Sequence, residues 1–468
     1  MAYIPIQVTG GTYRHKDLTL SAQSTVNFWA QVQDSATEKS EYILESFYGL
    51  KTFSAGTGLN RGLFVHRGIL YHLHGTTLSS INSSGVRTTL NAGAIAGDGR
   101  AIFSGNGSLV VIVASSVAYT WNPATSTLTT ASDSDFETPK SVATINSQSI
   151  YDGNGGRFVV SDVGAPLTID GLNYATAEYN SDNLQRVYAY ITNALMMGET
   201  SIEQWWNSGT GNPPFDRIEG SIINVGLGAI HSVDDDDENV YFFADDNQVY
   251  ALNGTVVTPI LPKVIVREIE GFATKTDAVG WTMMIDGQWF YVLKFQAANK
   301  TFIYPRQGEW FELSSGLDGG RYNGDAYAYS YNKHLIADEE GNVLELDIDT
   351  YTEDGSTIRR VRTLSPIHSG LFGQHGKDIE IKYLVLNGKT GTGTLTGQGS
   401  DPEIIMQYSH DGENFDTELR AKVGKLGKKT VVYFDIGDSA ENWIFRFITT
   451  DPVYQSWHSA AIEAEIGI

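Results

Sequence analysis

The sequence predicts an all-β protein, a β-propeller of six or seven blades with an appended C-terminal β-sandwich domain. Three observations carry that reading. Gly 49, Tyr 24 and Phe 20 stand among 468 residues of which only 19% are charged, a composition that suits short pleated strands joined by tight turns. A strand–turn–strand unit recurs along most of the chain. Near residue 356 the units give way to longer, strictly alternating strands.

The first 60 residues are read as an N-terminal segment that packs on the propeller or closes it. The repeated units occupy 61–355. "RGLFVHRGILYHLHGTTLSSINSSG" reads as three strands turned at Arg67-Gly68 and at Gly75. "GNGSLVVIVASSVAYTWNPATSTLTT" repeats this around Asn106-Gly107, and "ENVYFFADDNQVYALNGTVVTPI", "GQWFYVLKFQAANKTFIYPRQGEWFEL" and "NKHLIADEEGNVLELDID" follow. Each is an apolar strand, a turn of Gly, Asn or Asp, and a second alternating strand. The pairs recur every ~40–50 residues, the length a four-stranded blade consumes. The one wider gap holds "LQRVYAYITNALMMGETSIEQWWNS", which supplies a further unit. From 356 to 468, "KDIEIKYLVLNG", "EIIMQYSHDGENF", "KKTVVYFDIG" and "NWIFRFITT" alternate as strands of a sandwich with one buried face do. The glycine-rich "NGKTGTGTLTGQGSDPE" within it is expected to be a mobile loop.

Net charge is −23, from 55 acidic and 32 basic residues, with no basic stripe. Tight binding to nucleic-acid phosphates needs clustered Lys and Arg, so the sequence argues against it. There is no cysteine, which excludes disulfides and thiolate metal sites. The start lacks the charged and apolar regions of a signal peptide, and no apolar run approaches the length of a membrane-spanning helix.

Candidate chemistry is sparse. Asp234 to Asp237 could gather around calcium, but an unbroken acidic run reads first as a solvated turn between strands. His72 and His74 share a strand face, yet no carboxylate or cysteine nearby completes a metal site. "SHDGENF", from Ser409 to Phe415, resembles a shortened sialidase Asp-box, itself a structural turn, with Asp411-Gly412 as the hairpin signal. No nucleophile elbow, phosphate loop, zinc-protease motif or dinucleotide fingerprint is present. The expectation is a protein that is not an enzyme and carries no cofactor or metal.

The densest stretch is "MMGETSIEQWWNSGTGNPPFDRIEG", Met196 to Gly220. Glu203 beside Trp205 and Trp206 could belong to a glycosidase, which needs a second carboxylate across the sugar; none is nameable. The competing reading is a blade strand and a rigid loop turned by Gly209 and Gly211 and stiffened by Pro213-Pro214. On that reading Trp205 and Trp206 are buried anchors, and Glu203 satisfies nearby backbone or Arg217. With Phe215, these residues are the structural or interface candidates.

Three stretches carry a resemblance. "TVNFWAQVQDSATEKSEYILESFYGLKTFSAGTGLNRGLFVHRGILYHLHGTTLSSI" (25–81) holds a "VN" pair, an "L-x-S-F-x-G-L" element, an "RG" and an "LY-x-x-x-G-x-x-L" hairpin. The Met196–Gly220 stretch holds "G-x-x-S-I-E" and "N-S-G-T", and a "G-x-x-I-x-x-G" runs on from Gly220. "MQYSHDGENFDTE" is the third. Together they resemble the packaged-DNA stabilisation proteins, or tail accessory and tail hub proteins, of short-tailed bacteriophages of the Salmonella type. The resemblance implies a structural virion protein assembled in the host cytoplasm as a ring, a hexamer, below the portal and its adaptor ring. There it would extend the DNA channel, help retain packaged DNA, and dock the tail needle or plug and the tailspikes or fibres. Double-stranded DNA would pass through the lumen without tight binding, aided by like-charge repulsion from an acidic wall. The alternative is a carbohydrate-binding or glycan-cleaving propeller.

Overall fold

The computed structural model describes residues 2–32 and 41–467. Seven four-stranded antiparallel sheets follow one another from residue 60. The first runs from Asn60–His66 to Arg87–Asn91, the second from Ala101–Asn106 to Thr127–Thr130, and the third from Val142–Ile145 to Ala165–Thr176. The fourth spans Leu184–Tyr190 to Phe215–Arg217, the fifth Asp234–Asp235 to Val256–Pro259, and the sixth Ala278–Ile285 to Phe311–Glu312. The seventh takes Gly324–Ser330, Lys333–Asp338 and Val343–Asp347 from this end of the chain. Its fourth strand, Gly49–Ser54, comes from the other end and pairs Leu50 with Leu346 and Thr52 with Leu344.

The first strand of each sheet is the innermost, and Gly324–Ser330 lies beside Asn60–His66 to close the ring. The alternation seen in sequence places an apolar core between each pair of neighbouring blades. Tyr71, Leu73 and Val110 fill the first such layer and Ile102, Val111 and Tyr151 the second. Leu70, Ile81 and Leu335 fill the layer between the seventh blade and the first. The hairpins are tight because both central residues can take positive φ, as Arg67 (51°) and Gly68 (75°) do, which is the requirement of a two-residue type I′ turn. One short helix, Lys263–Glu270, buries Val264, Ile265 and Ile269 against the fifth and sixth blades.

The sandwich takes strands from both ends of the chain. One sheet orders Phe28–Val32, Tyr42–Ser46, Ser456–Ile466, Ile379–Gly388 and Val432–Ala440, with Ala2–Ile6 beside Ser456–Ile466. The other contains Ala22–Val26, Arg360–Thr363, Asn442–Thr449, Glu403–Ser409 and Thr417–Lys422. Phe28, Trp443, Phe447 and Trp457 are fully buried between them. Residues 1–60, expected to pack on or close the propeller, thus divide: Gly49–Ser54 closes the ring, while the described strands before it are part of the sandwich. The glycine-rich loop is tied down by backbone hydrogen bonds from Gly391 to Val423 (2.9 Å), Thr394 to Gly399 (2.8 Å) and Gly427 to Gly391 (2.9 Å).

A continuous ladder joins the two domains. Val26 pairs with Glu312 of the sixth blade on one side and with Val361 of the sandwich on the other. Asn27 reinforces the seam, donating through Nδ2 to the carbonyls of Ser314 and Arg359, both at 2.8 Å, and accepting from the Ser314 N–H at 3.0 Å. Arg362, 1% exposed, donates to the carbonyls of Val8 (2.6 Å), Thr9, Gly10 and Gly11 (3.1 Å each) and to Thr25 Oγ1 (2.8 Å) and Gln23 Oε1 (3.0 Å). A buried guanidinium is tolerated only when its donors are met, and here they bind the N-terminal segment to the sandwich.

Candidate functional site at the propeller axis

The innermost strands send polar side chains toward the axis, where they line a cavity of about 340 Å³. Asp325 of the seventh blade organises one wall. Its carboxylate accepts from Arg100 Nη1 at 2.6 Å, Asn60 Nδ2 at 2.8 Å, Gln296 Nε2 at 3.2 Å and Lys294 Nζ at 3.4 Å. Burial opposes ionisation of Asp325, but the Arg100 and Lys294 charges override it and hold its pKa below the usual carboxylate range. Lys294, fully buried, also donates to Glu339 Oε1 at 2.6 Å and to the Gly324 carbonyl at 3.1 Å. Four blades therefore contribute to one network, which locks the ring and leaves Asp325 no free lone pair for proton transfer.

Asp234 forms part of the facing wall. The run Asp234 to Asp237, expected as a solvated turn, is instead the innermost strand of the fifth blade and the turn that follows it. Asp234 Oδ2 accepts from the Thr282 N–H (2.6 Å) and hydroxyl (3.0 Å) of the sixth blade, and the Tyr188 hydroxyl of the fourth reaches both Asp235 and, at 3.5 Å, Asp234 Oδ1. Asp236, 2% exposed, accepts from the Asn239 N–H at 2.7 Å and the Tyr241 hydroxyl at 2.8 Å. These donors make Asp234, Asp235 and Asp236 structural, and Asp237 alone of the four is exposed, in the turn. Burial, helped by the neighbouring Asp235 charge, pushes the Asp234 pKa up to about 6. Burial and the Arg100 and Arg186 charges push His231 down to about 3, so its imidazole is neutral.

A second cavity, about 560 Å³, adjoins the first and shares Asp234 and Tyr327 with it. Trp289, Tyr329 and His334 give it aromatic walls. The Tyr327 hydroxyl meets His334 Nδ1 at 2.9 Å, and their rings stack at 6.1 Å.

The residues singled out between Met196 and Gly220 lie elsewhere, between the third and fourth blades. Trp205 is 8% exposed, packs edge-on to Phe158 at 5.0 Å and shares its core with Met196 and Phe215. Glu203, 2% exposed, accepts from the Tyr179 N–H at 2.8 Å and the Trp205 indole N–H at 3.0 Å, with Arg217 Nη1 at 3.9 Å. Trp206, expected as a buried anchor, is 45% exposed and is a correction. The pleat that turns Trp205 inward turns its neighbour to the opposite face, at the end of a strand that stops at Asn207. Gly209 and Gly211 both take positive φ, 70° and 88°. Among the described residues no second carboxylate is hydrogen-bonded to Glu203, and its own oxygens are occupied.

The remaining candidates are also spoken for. His72 bonds Asn60 Oδ1 (3.1 Å) and accepts from Arg87 Nη1 (2.8 Å), and His74 bonds the Thr57 carbonyl (2.7 Å) and Ser79 Oγ (2.9 Å). All four ring nitrogens are thereby taken. Asp411 accepts from the Ser409 hydroxyl at 2.7 Å and from the N–H groups of Glu413 and Asn414, both at 2.8 Å, which closes its turn. Sequence reasoning missed Arg100, Arg186, His231 and Asp325, because each stands alone on its own segment and only the closed ring gathers them.

Comparison with known proteins gives a family. Among solved structures, virginiamycin B lyase from Staphylococcus aureus aligns with a TM-score of 0.44 at 11% identity, over 63% of this chain and 97% of that one. The extracellular domain of BT4673 from B. thetaiotaomicron aligns with a TM-score of 0.45 at 9% identity, over 82% and 48%. The Pan2 WD40 domain of Neurospora crassa gives 0.40 at 8% identity, over 64% and 95%. No curated protein matches the sequence. The family model described as Bacteriophage P22 Gp10, β-propeller, matches residues 3–351. That span takes in all seven blades and the strand that closes them, and the chain belongs to this family of phage stabilisation proteins.

Proposed function

We propose that this phage structural protein is a ring-forming subunit of a short-tailed phage tail. Six copies stand below the portal and its adaptor ring, extend the DNA channel, help retain packaged DNA and dock the tail needle or plug and the spikes or fibres. Family membership is the observation that carries this reading. Two features of the chain support it. The axial cavity of about 340 Å³ is far too small for a duplex. A DNA path must therefore run between copies. The continuous ladder through Val26 makes propeller and sandwich one stiff body, as a tube wall requires. With −23 charges per chain, an acidic lumen would let DNA slide without adhering.

Electron microscopy of purified virions tests the proposal: a ring of this chain at the portal vertex is the expected result, and its absence there would sink it. A glycan-binding reading has one observation of its own, the aromatic walls of the 560 Å³ cavity, since sugars stack on such surfaces. Retention on a glycan array, abolished by Trp289→Ala, would favour it.

A further inference from the structure

The cavity of about 560 Å³ opens to solvent beside the turns that follow the inner strands of the fifth and sixth blades, where Met284 is 49% and Tyr329 51% exposed. Two exposed carboxylates stand among its aromatic walls. Asp237 has no side-chain partner among the described residues, and Asp286 accepts only from the Tyr48 hydroxyl, at 2.6 Å. No Lys or Arg lines the cavity. Arg306, which flanks Asp237, is paired with Asp236 at 3.6 Å and with Glu238. Burial lowers the pKa of His334, so its ring adds no charge at neutral pH. Carboxylates beside the rings of Trp289, Tyr327 and Tyr329 suit an ammonium group on an apolar stem.

Such groups stand unpaired on the sandwich. The segment between Thr417–Lys422 and Val432–Ala440 exposes Lys425, Lys428 and Lys429. Among the described residues none of the three forms an ion pair, whereas Lys422 is spent on Asp401 and Glu403, at 3.3 and 2.6 Å. Residues 423–433 contain no acid. Leu426 and Val431 stand among the lysines, 53% and 67% exposed. The Gly427 N–H bonds the Gly391 carbonyl at 2.9 Å and the Lys428 N–H the Lys425 carbonyl at 2.8 Å, so the loop is preformed and loses little entropy on docking. Aliphatic side chains around unpaired lysines thus match an aromatic recess with available carboxylates, in sign and in apolar character. A duplex or an anionic bilayer would answer the lysines and leave the acidic recess without a partner. A second copy of the chain answers both.

We propose that the lysine loop, residues 423–431, of one copy docks in the 560 Å³ cavity of the next. Because the two surfaces differ, the contact runs head to tail, the kind that closes into a ring. It presupposes the ring proposed above and specifies how its copies meet. A loop seated there covers Trp289 and excludes a glycan from the same walls. The chain has no cysteine, so engineered ones report the contact. Full-length Leu426→Cys and Met284→Cys variants are mixed at low ionic strength and treated with a short bismaleimide. Peptide mass spectrometry should find the two positions linked, several-fold above the link from Leu426→Cys to Leu172→Cys, an exposed site on the third blade. Lys428→Gln with Lys429→Gln, or Asp237→Asn with Asp286→Asn, should each lower that yield about fivefold or more, the worth of two exposed ion pairs. All four positions are exposed, and the two aspartates take positive φ, 68° and 51°, which Asn tolerates. Sodium chloride at ~1 M, which shortens screening to ~3 Å, should act in the same direction. A link no stronger than the Leu172→Cys control, or a yield unchanged in both neutralised pairs, would overturn the contact. So would transfer of the chain to phosphatidylglycerol vesicles or duplex DNA through these lysines without the link. A ring in virion micrographs without this link overturns the contact and leaves the ring reading; a link without a ring at the portal vertex does the reverse.

Discussion

Asp234 shows how a single side chain can set a pH dependence for the whole fold. Its pKa of about 6 in the folded state lies above the ~3.9 of an unfolded chain. The folded protein therefore holds this proton more tightly. The resulting stability is fully present below the unfolded pKa and is lost as pH rises through 6. Asp234→Asn escapes that loss, so its stability relative to the native chain should improve by about 1–2 kcal/mol between pH 4 and pH 7. Denaturant unfolding across that range measures it, and a constant difference would refute the assignment. The neighbouring tryptophans separate two other roles. Trp205→Ala, in the core with Phe158 and Phe215, should cost about 3–5 kcal/mol. The Tyr179 N–H and the Trp205 indole N–H bond different oxygens of Glu203. Glu203→Gln therefore turns an amide NH₂ on one of these donors and should cost about 1–3 kcal/mol in denaturant unfolding, while leaving ring assembly largely intact. Trp206→Ala, at an exposed ring, should change monomer stability by less than about 0.5 kcal/mol. If Trp206 faces another copy, the same change should reduce ring formation seen by native mass spectrometry.

At the scale of the element, Gly49–Ser54 bears the most consequence per residue. It is the outer strand of the seventh blade, and Leu50 is fully buried with Trp281 and Leu346. Leu50→Asp would place an unpaired charge there, and a cost of about 3–5 kcal/mol is expected. Limited proteolysis should then cut first within or beside the seventh blade. This strand also marks the boundary of what the sequence discloses. Hairpins are local, so Arg67-Gly68 and Asn106-Gly107 announce the blades they turn. A strand donated across the chain has no local partner to announce it, and "GLKTFS" reads like many edge strands. The helix Lys263–Glu270 escaped notice because it spans only two turns. Asp234 to Asp237 misled because the donors that quench it, Thr282, Tyr188 and Tyr241, lie on other strands. The axial network was illegible for the same reason. Its members acquire a common neighbourhood only when seven blades close.

The whole molecule is one mechanical and thermodynamic unit. The sandwich core needs Phe28 and Leu44 from one end and Trp443 and Trp457 from the other, and its second sheet runs on into the sixth blade. Truncation after residue 355 should therefore fail to give a soluble propeller, because Ala22–Val26 and Phe28–Val32 lose their partners and expose their edges. Expression of residues 1–355 tests this by solubility and circular dichroism. A soluble, cooperatively unfolding fragment would show that the propeller stands alone.

The same arrangement has a consequence in time. Glu45 and the Tyr454 that bonds it are 409 positions apart. At roughly 5–20 residues per second, a ribosome delivers the second of the pair roughly 20–80 s after the first. Throughout that interval the earliest strands are finished but unmated, and seven blades are made before the sheet that receives them is complete. Whatever folds first must hold those edges apart from neighbouring nascent chains, so the yield of this protein should fall when synthesis is crowded or slow.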